Sequence, residues 1–145
     1  MSADQQTVQL TAEQEAWFEA AKSGDVESLK QALDSGFDVN ATDEKKNTAL
    51  HHAASKAHLD AMRLLIENGA GLDLANDRLS TPLHLTEKNM NAIRILLEAG
   101  ADPNLLDADH DYPYYFAFYG SMTRELTKLY IKHGANLMLY GDDDE

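Results

Sequence analysis

The sequence predicts an all-α solenoid, a row of stacked helix–turn–helix units, and three observations carry that prediction. The phrase Thr48-Ala49-Leu50-His51 returns as Thr81-Pro82-Leu83-His84, 33 residues later. Glycines Gly36, Gly69, Gly100 and Gly134, spaced 33, 31 and 34 residues apart, close similar phrases, for example Leu33 to Asn40 and Leu97 to Asn104. Before each glycine, apolar residues recur at helical spacing. A fixed period of this length marks a repeat array, and a helix pair this short buries its apolar face only by stacking on a neighbour. The units run 11–41, 42–74, 75–105 and 106–138, between a lead of residues 1–10 and an acidic tail of residues 139–145.

In the first unit, Thr11 and Gln14 form a capping box. Trp17, Phe18, Ala20 and Ala21 supply one helix, and Val26, Leu29 and Leu33 the next. In the second, Thr48 caps a helix through Leu50, Ala53 and Ala54. The following helix carries Met62, Leu65 and Ile66 on one face and stops where Gly69 takes the left-handed C′ conformation. In the third, Pro82 stands just inside its helix, where its missing N–H is not needed. That unit is two residues short between Thr86 and Met90, which trims its first helix or the turn after it. The fourth has Tyr112-Pro113-Tyr114-Tyr115 at the motif, then Phe116, Phe118, Tyr119 and an extra residue near Gly120, and reads as a terminal cap.

The Thr-Pro-Leu-His motif, the Ala53-Ala54 and Ala20-Ala21 pairs, the ending Leu96 to Asn104 and the 33-residue period together resemble ankyrin repeats. The resemblance implies stacked helix pairs joined by short β-hairpin-like fingers. It also implies that His51 and His84 bond to backbone between adjacent units, a structural role. The family favours glycine at the finger tip; Lys46, Leu79 and His110 stand there instead, so these fingers are expected to be looser.

Composition narrows the function. Asp plus Glu number 25 and Lys plus Arg 12, a net charge of −13, which opposes nucleic-acid binding because phosphate neutralisation needs a basic stripe. Cysteine is absent, so disulfides, thiolate catalysis and Cys-ligated zinc are excluded. No basic, apolar leader and no long apolar run occurs, and the expectation is a cytoplasmic chain that does not enter membranes. Phosphate-loop, nucleophile-elbow and His-Glu-x-x-His motifs are missing. Asp107, Asp109 and Asp111 open like a calcium loop, but Tyr112 and Phe118 stand where glycine and a bidentate Glu belong. On an extended finger those aspartates project on one side. His51, His52 and His58 lack the i, i+4 spacing of shared metal ligands. No catalytic residue, metal, cofactor or small-molecule substrate is expected.

The charge is concentrated at the ends: residues 1–41 carry 8 acids and 2 bases, and residues 106–145 carry 8 and 3. Two readings stand: polar outer faces that keep the terminal units and the tail soluble, or an acidic inner surface that steers a basic protein partner. Six of the eleven aromatics lie between Tyr112 and Tyr119; Tyr114 is expected in the core, with Tyr112, Tyr115 or Tyr119 exposed beside Asp109 and Asp111 as a patch for Lys or Arg side chains. The family resemblance places partner contacts on finger tips and inner helices: Thr42, Glu44, Lys45, Asn47, Ser55 and Lys56, then Asp77, Arg78 and Ser80, then Asp109, Asp111 and Tyr119. The expected function is a non-catalytic protein-interaction module, a stoichiometric inhibitor or immunity-type protein neutralising its partner. The alternative is a scaffold that joins partners without inhibiting them.

Overall fold

Local signals fix where each helix starts and stops. The computed structural model describes residues 9–115 and 124–137. Thr11 and Gln14 form the capping box of α1 (Ala12–Ser23), with Glu13 and Glu15 at its positive end. Gly24 ends that helix at φ 74°, and a Cβ there would lie 2.7 Å from the His58 ring, so only glycine fits. Asp25 caps α2 (Val26–Asp34) by accepting both the amide and the hydroxyl of Ser28. Thr48 opens α3 (Ala49–Ser55), followed by α4 (Leu59–Glu67), a 3₁₀ helix (Pro82–Thr86), α5 (Met90–Ala99) and α6 (Arg124–Lys132). No strand occurs among the described residues.

The shortened third unit has its first helix wound as the 3₁₀ turn, which Glu87 ends at φ 52° and ψ −118°. Losing two residues leaves no room for an α-helical exit, and a backbone geometry that suits glycine closes the gap.

Two layers result. The inner row stacks α1 on α3 and α3 on the 3₁₀ helix; the outer row stacks α2 on α4, α4 on α5, and α5 on α6. Alanine makes close stacking possible in the inner row, where Ala20, Ala21, Ala53 and Ala54 are buried. Leu50, Leu83 and Tyr114 occupy the same motif position and are 0%, 1% and 0% exposed. Burying each contributes about 1.5–3 kcal/mol. The larger Tyr114 is accommodated because its hydroxyl donates to the Asn136 carbonyl at 3.0 Å and its ring meets Tyr130 edge-on, centroids 5.6 Å apart.

Side-chain bonds stitch neighbouring units on the side where glycine stops the outer helices. Asn40 Oδ1 accepts the Gly71 amide, Asp73 Oδ1 the Asp102 amide and Asn104 Oδ1 the Asn136 amide, at 2.8, 2.9 and 2.9 Å. His58 stands at the N-cap of α4 without capping it by its side chain. Its Nε2 instead donates to the Lys22 carbonyl at 2.9 Å, tying the second unit to the first.

Candidate protein-interaction surface

The three fingers are built alike. In each, an Asp or Asn side chain reaches over the turn and accepts two backbone amides: Asp43 from Lys45 and Asn47, Asn76 from Arg78 and Ser80, Asp107 from Asp109 and Asp111, at 2.9 to 3.0 Å. The backbone closes beneath it, Asp43 donating to Asn47, Asn76 to Ser80 and Asp107 to Asp111. Three residues therefore form each tip, the third in the left-handed region, as in a hairpin with a type I turn and bulge. Lys46, Leu79 and His110 hold that third place at φ 61°, 56° and 63°. The missing glycines do not loosen the fingers, contrary to the expectation from their sequence, because the Asx clamp fixes the turn by side-chain bonds. Adjacent fingers join through Asp77 N–H to the Lys45 carbonyl at 3.0 Å and Ala108 N–H to the Arg78 carbonyl at 2.9 Å.

The tips form a grid of nine exposed residues: Glu44, Lys45 and Lys46; Asp77, Arg78 and Leu79; Ala108, Asp109 and His110. Its sign changes along the row. The first tip sums to +1 and the second to zero, while the third carries Asp109 between Asp107 and Asp111. Arg78 and Asp109 approach to 3.6 Å across neighbouring fingers, both well exposed, so the pair contributes little to stability.

Of the residues expected to contact a partner, the fold brings Glu44, Lys45, Asp77, Arg78 and Asp109 together on this grid, with Thr42 exposed at the base of the first finger. Asn47 is half-buried, its Oδ1 accepting from Asn76 Nδ2 at 2.9 Å. Ser80 is buried beneath the second tip, and its carbonyl accepts from His51. Ser55 and Lys56 are exposed at the opposite end of α3 from the fingers. Asp111 is half-buried; burial, and then the charges of Asp107 and Asp109, push its carboxyl above the usual range. The three aspartates do not line one side of a strand, because residues 107–111 form a turn whose first carboxylate folds inward as the clamp. Tyr112 and Tyr115 are half-buried, and Tyr112 stacks on Tyr114 with centroids 5.1 Å apart and planes 7° from parallel. Tyr119, Phe116 and Phe118 lie outside the described residues.

Lys46, Leu79 and His110 were absent from the expected contacts. Their signal was present in the sequence as three residues standing where glycine belongs.

The histidines hold this edge onto the helices. His51 Nδ1 accepts the Thr48 amide at 3.0 Å, which leaves Nε2 as the N–H that donates to the Ser80 carbonyl at 2.9 Å. His84 repeats the arrangement with Thr81 and the Asp111 carbonyl, at 3.0 Å each. These bonds give both histidines the structural role implied by the resemblance. Burial holds both imidazoles below their ordinary pKa, and a second ring proton would face the Thr48 or Thr81 N–H. His52 Nε2 donates to Asp43 Oδ2 at 2.8 Å, anchoring the first clamp to α3. Burial raises the Asp43 carboxyl, but the His52 bond and the Asn47 and Lys45 amides outweigh it and leave it below the usual range.

A groove of about 870 Å³ runs along α1 to Glu44 at the first finger tip, and other grooves lie away from the fingers. One of about 650 Å³ lies between α1 and α2 beside Trp17 and Phe37, and another of about 400 Å³ lies beside Lys56 and Lys88. None of the side chains with shifted ionisation (Asp25, Asp43, His51, His84, Asp111 and Tyr130) lines either groove. Among the described residues, no three His, Asp or Glu side chains converge as metal ligands, and no helix is long and apolar enough to cross a membrane.

A family model for ankyrin repeats, in three copies, matches residues 17–107. Over 93 residues the chain is 36% identical to palmitoyltransferase Hip14 of Drosophila melanogaster and to palmitoyltransferase ZDHHC13 of Homo sapiens. It is 33% identical over the same length to palmitoyltransferase ZDHHC17 of Homo sapiens. In each case the match takes in 62% of this chain and 15% of the relative's length, a segment too small to carry the relative's activity across. With the repeat model spanning most of the chain, and helix pairs stacked in two layers beneath a row of fingers, the chain belongs to the ankyrin-repeat family.

Proposed function

We propose that this ankyrin-repeat protein, an interaction module by its family, neutralises a basic protein partner stoichiometrically through its finger edge and adjoining inner helices, as an inhibitor or immunity-type protein does. One observation carries the reading: three tips of the same backbone geometry bear three different sets of side chains. Residues that serve the fold repeat from finger to finger, namely Asp43, Asn76 and Asp107, or His51 and His84. Glu44-Lys45-Lys46, Asp77-Arg78-Leu79 and Ala108-Asp109-His110 do not repeat, so the fold does not dictate them.

Asn47, Ser80 and Asp111 contribute by holding these tips in place. Tyr112 and Tyr115, half-buried beside the third finger, and Tyr119 are further contacts of this reading, in which the unit 106–138 closes the array. The net charge of −13 favours a basic partner at long range, by raising its association rate. Nucleic acid and membrane surfaces, both anionic, are disfavoured as partners, and the reading places the protein in the cytoplasm. The chain needs no cofactor and no catalytic group for this role.

Capture on the immobilised chain, followed by an activity assay of what is captured, tests the proposal. A neutralising module silences its partner at a one-to-one ratio. A partner that stays fully active when bound supports the scaffold instead.

A further inference from the structure

We infer that Leu79 is the apolar anchor of the finger edge, and that the partner segment it fits is polar in a defined order: acidic toward the first finger, apolar over Leu79, and basic toward the third. The inference rests on the proposed use of the finger edge and names the chemistry of what docks there.

Leu79 is unfavourable twice over where it stands. Its φ of 56° lies in the left-handed region, which a bulky side chain adopts only under constraint. Its side chain is 55% exposed, so packing against the fold returns little for that strain. The equivalent places hold Lys46 and His110, which are polar and at home in water. A leucine kept strained and exposed at the middle of three fingers has no use in the monomer. It gains one when a partner covers it, because burying apolar surface that the monomer leaves in water is favourable.

The neighbours set the polarity. On one side of it Lys45 and Lys46 outweigh Glu44 to leave a net +1, on its own tip Asp77 and Arg78 cancel, and on the other side stands Asp109, toward which Arg78 is drawn. A segment of the opposite order pairs its charges with both flanks, and the reversed order meets like charges.

Random dodecapeptides displayed on phage and selected against the whole chain supply the probe, and three variants read the result. Selected peptides are expected to carry an apolar residue with acids on one side and bases on the other. Leu79→Asn, which suits the left-handed turn, should weaken their binding about tenfold or more and melt no lower than the natural chain. Lys45→Glu and Asp109→Lys should each weaken it less. If Leu79→Asn leaves affinity unchanged while either charge reversal lowers it, the finger edge binds but the anchor is refuted. A clearly lower melting temperature for Leu79→Asn makes Leu79 a structural residue and also refutes the anchor. If none of the three variants changes affinity, the peptides dock elsewhere and the finger-edge reading itself falls.

Discussion

The Tyr130 side chain is 0% exposed, and its hydroxyl finds no hydrogen-bond partner among the described residues. Burial alone drives its ionisation well above the ordinary tyrosine range, as expected of a phenol that nothing solvates. An unsatisfied buried hydroxyl costs about 1–3 kcal/mol, so Tyr130→Phe should stabilise the protein by about 1 kcal/mol in denaturant unfolding. A destabilised variant would mean that the hydroxyl is bonded after all. His51 and His84 predict an acid sensitivity. Unfolded histidine takes up its proton near 6.5, whereas these two do so only at lower pH in the fold. Their contribution is therefore complete above about pH 6.5 and is lost as pH falls through the window below it. Melting temperature should fall between pH 7 and pH 5, and His51→Gln with His84→Gln should flatten that fall while lowering the plateau. Asp43, held below the usual carboxylate range, adds a separate loss that begins only below about pH 4.

Fingers and helices differ in how far their sequences announce them. Thr11, Thr48 and Pro82 mark helix starts through chemistry confined to three or four residues, and each structural start agrees. The missing pair of residues after Thr86 likewise foretold the trimmed helix. The finger turns were harder to read, because the rule that a left-handed position wants glycine is only a preference. It yields to a side chain that bonds the turn, as Asp43, Asn76 and Asp107 do. Asn76 bonds the Arg78 and Ser80 amides and the Asn47 side chain, as many partners as Asp43 has in the Lys45 and Asn47 amides and His52. Asn76→Ala should cost about 2 kcal/mol in denaturant unfolding, and Asn76→Asp, which keeps the two amide bonds, less than half of that. Glu87 supplies the converse test. Its φ of 52° with ψ −118° suits only glycine well, so Glu87→Gly should raise stability by about 1 kcal/mol; a loss would show that the side chain serves the turn.

For the molecule as a whole, period and glycine spacing were enough to give the stack, since each unit contacts only its neighbours and local rules propagate along the row. The interaction surface was legible only in part. Glu44, Lys45, Asp77, Arg78 and Asp109 fall on the tips as expected, but charge counting along the chain could not show that the tips run from basic to acidic. That order arises when the Asp77 and Ala108 amides pair with the Lys45 and Arg78 carbonyls and bring three distant tripeptides into one row. Composition alone could not sort the aromatic cluster either, because Tyr112 stacks with the buried Tyr114 and both tyrosines are used by the same interior. The central claim, that the non-repeating finger row is where this protein meets its partner, is tested most directly by hydrogen exchange on the chain alone and in complex with a captured binding protein. Protection on binding should appear at residues 42–47, 75–80 and 107–111 and along α3, with α2, α4 and α5 unchanged. Protection confined to the outer helices, with the fingers exchanging as before, would contradict it.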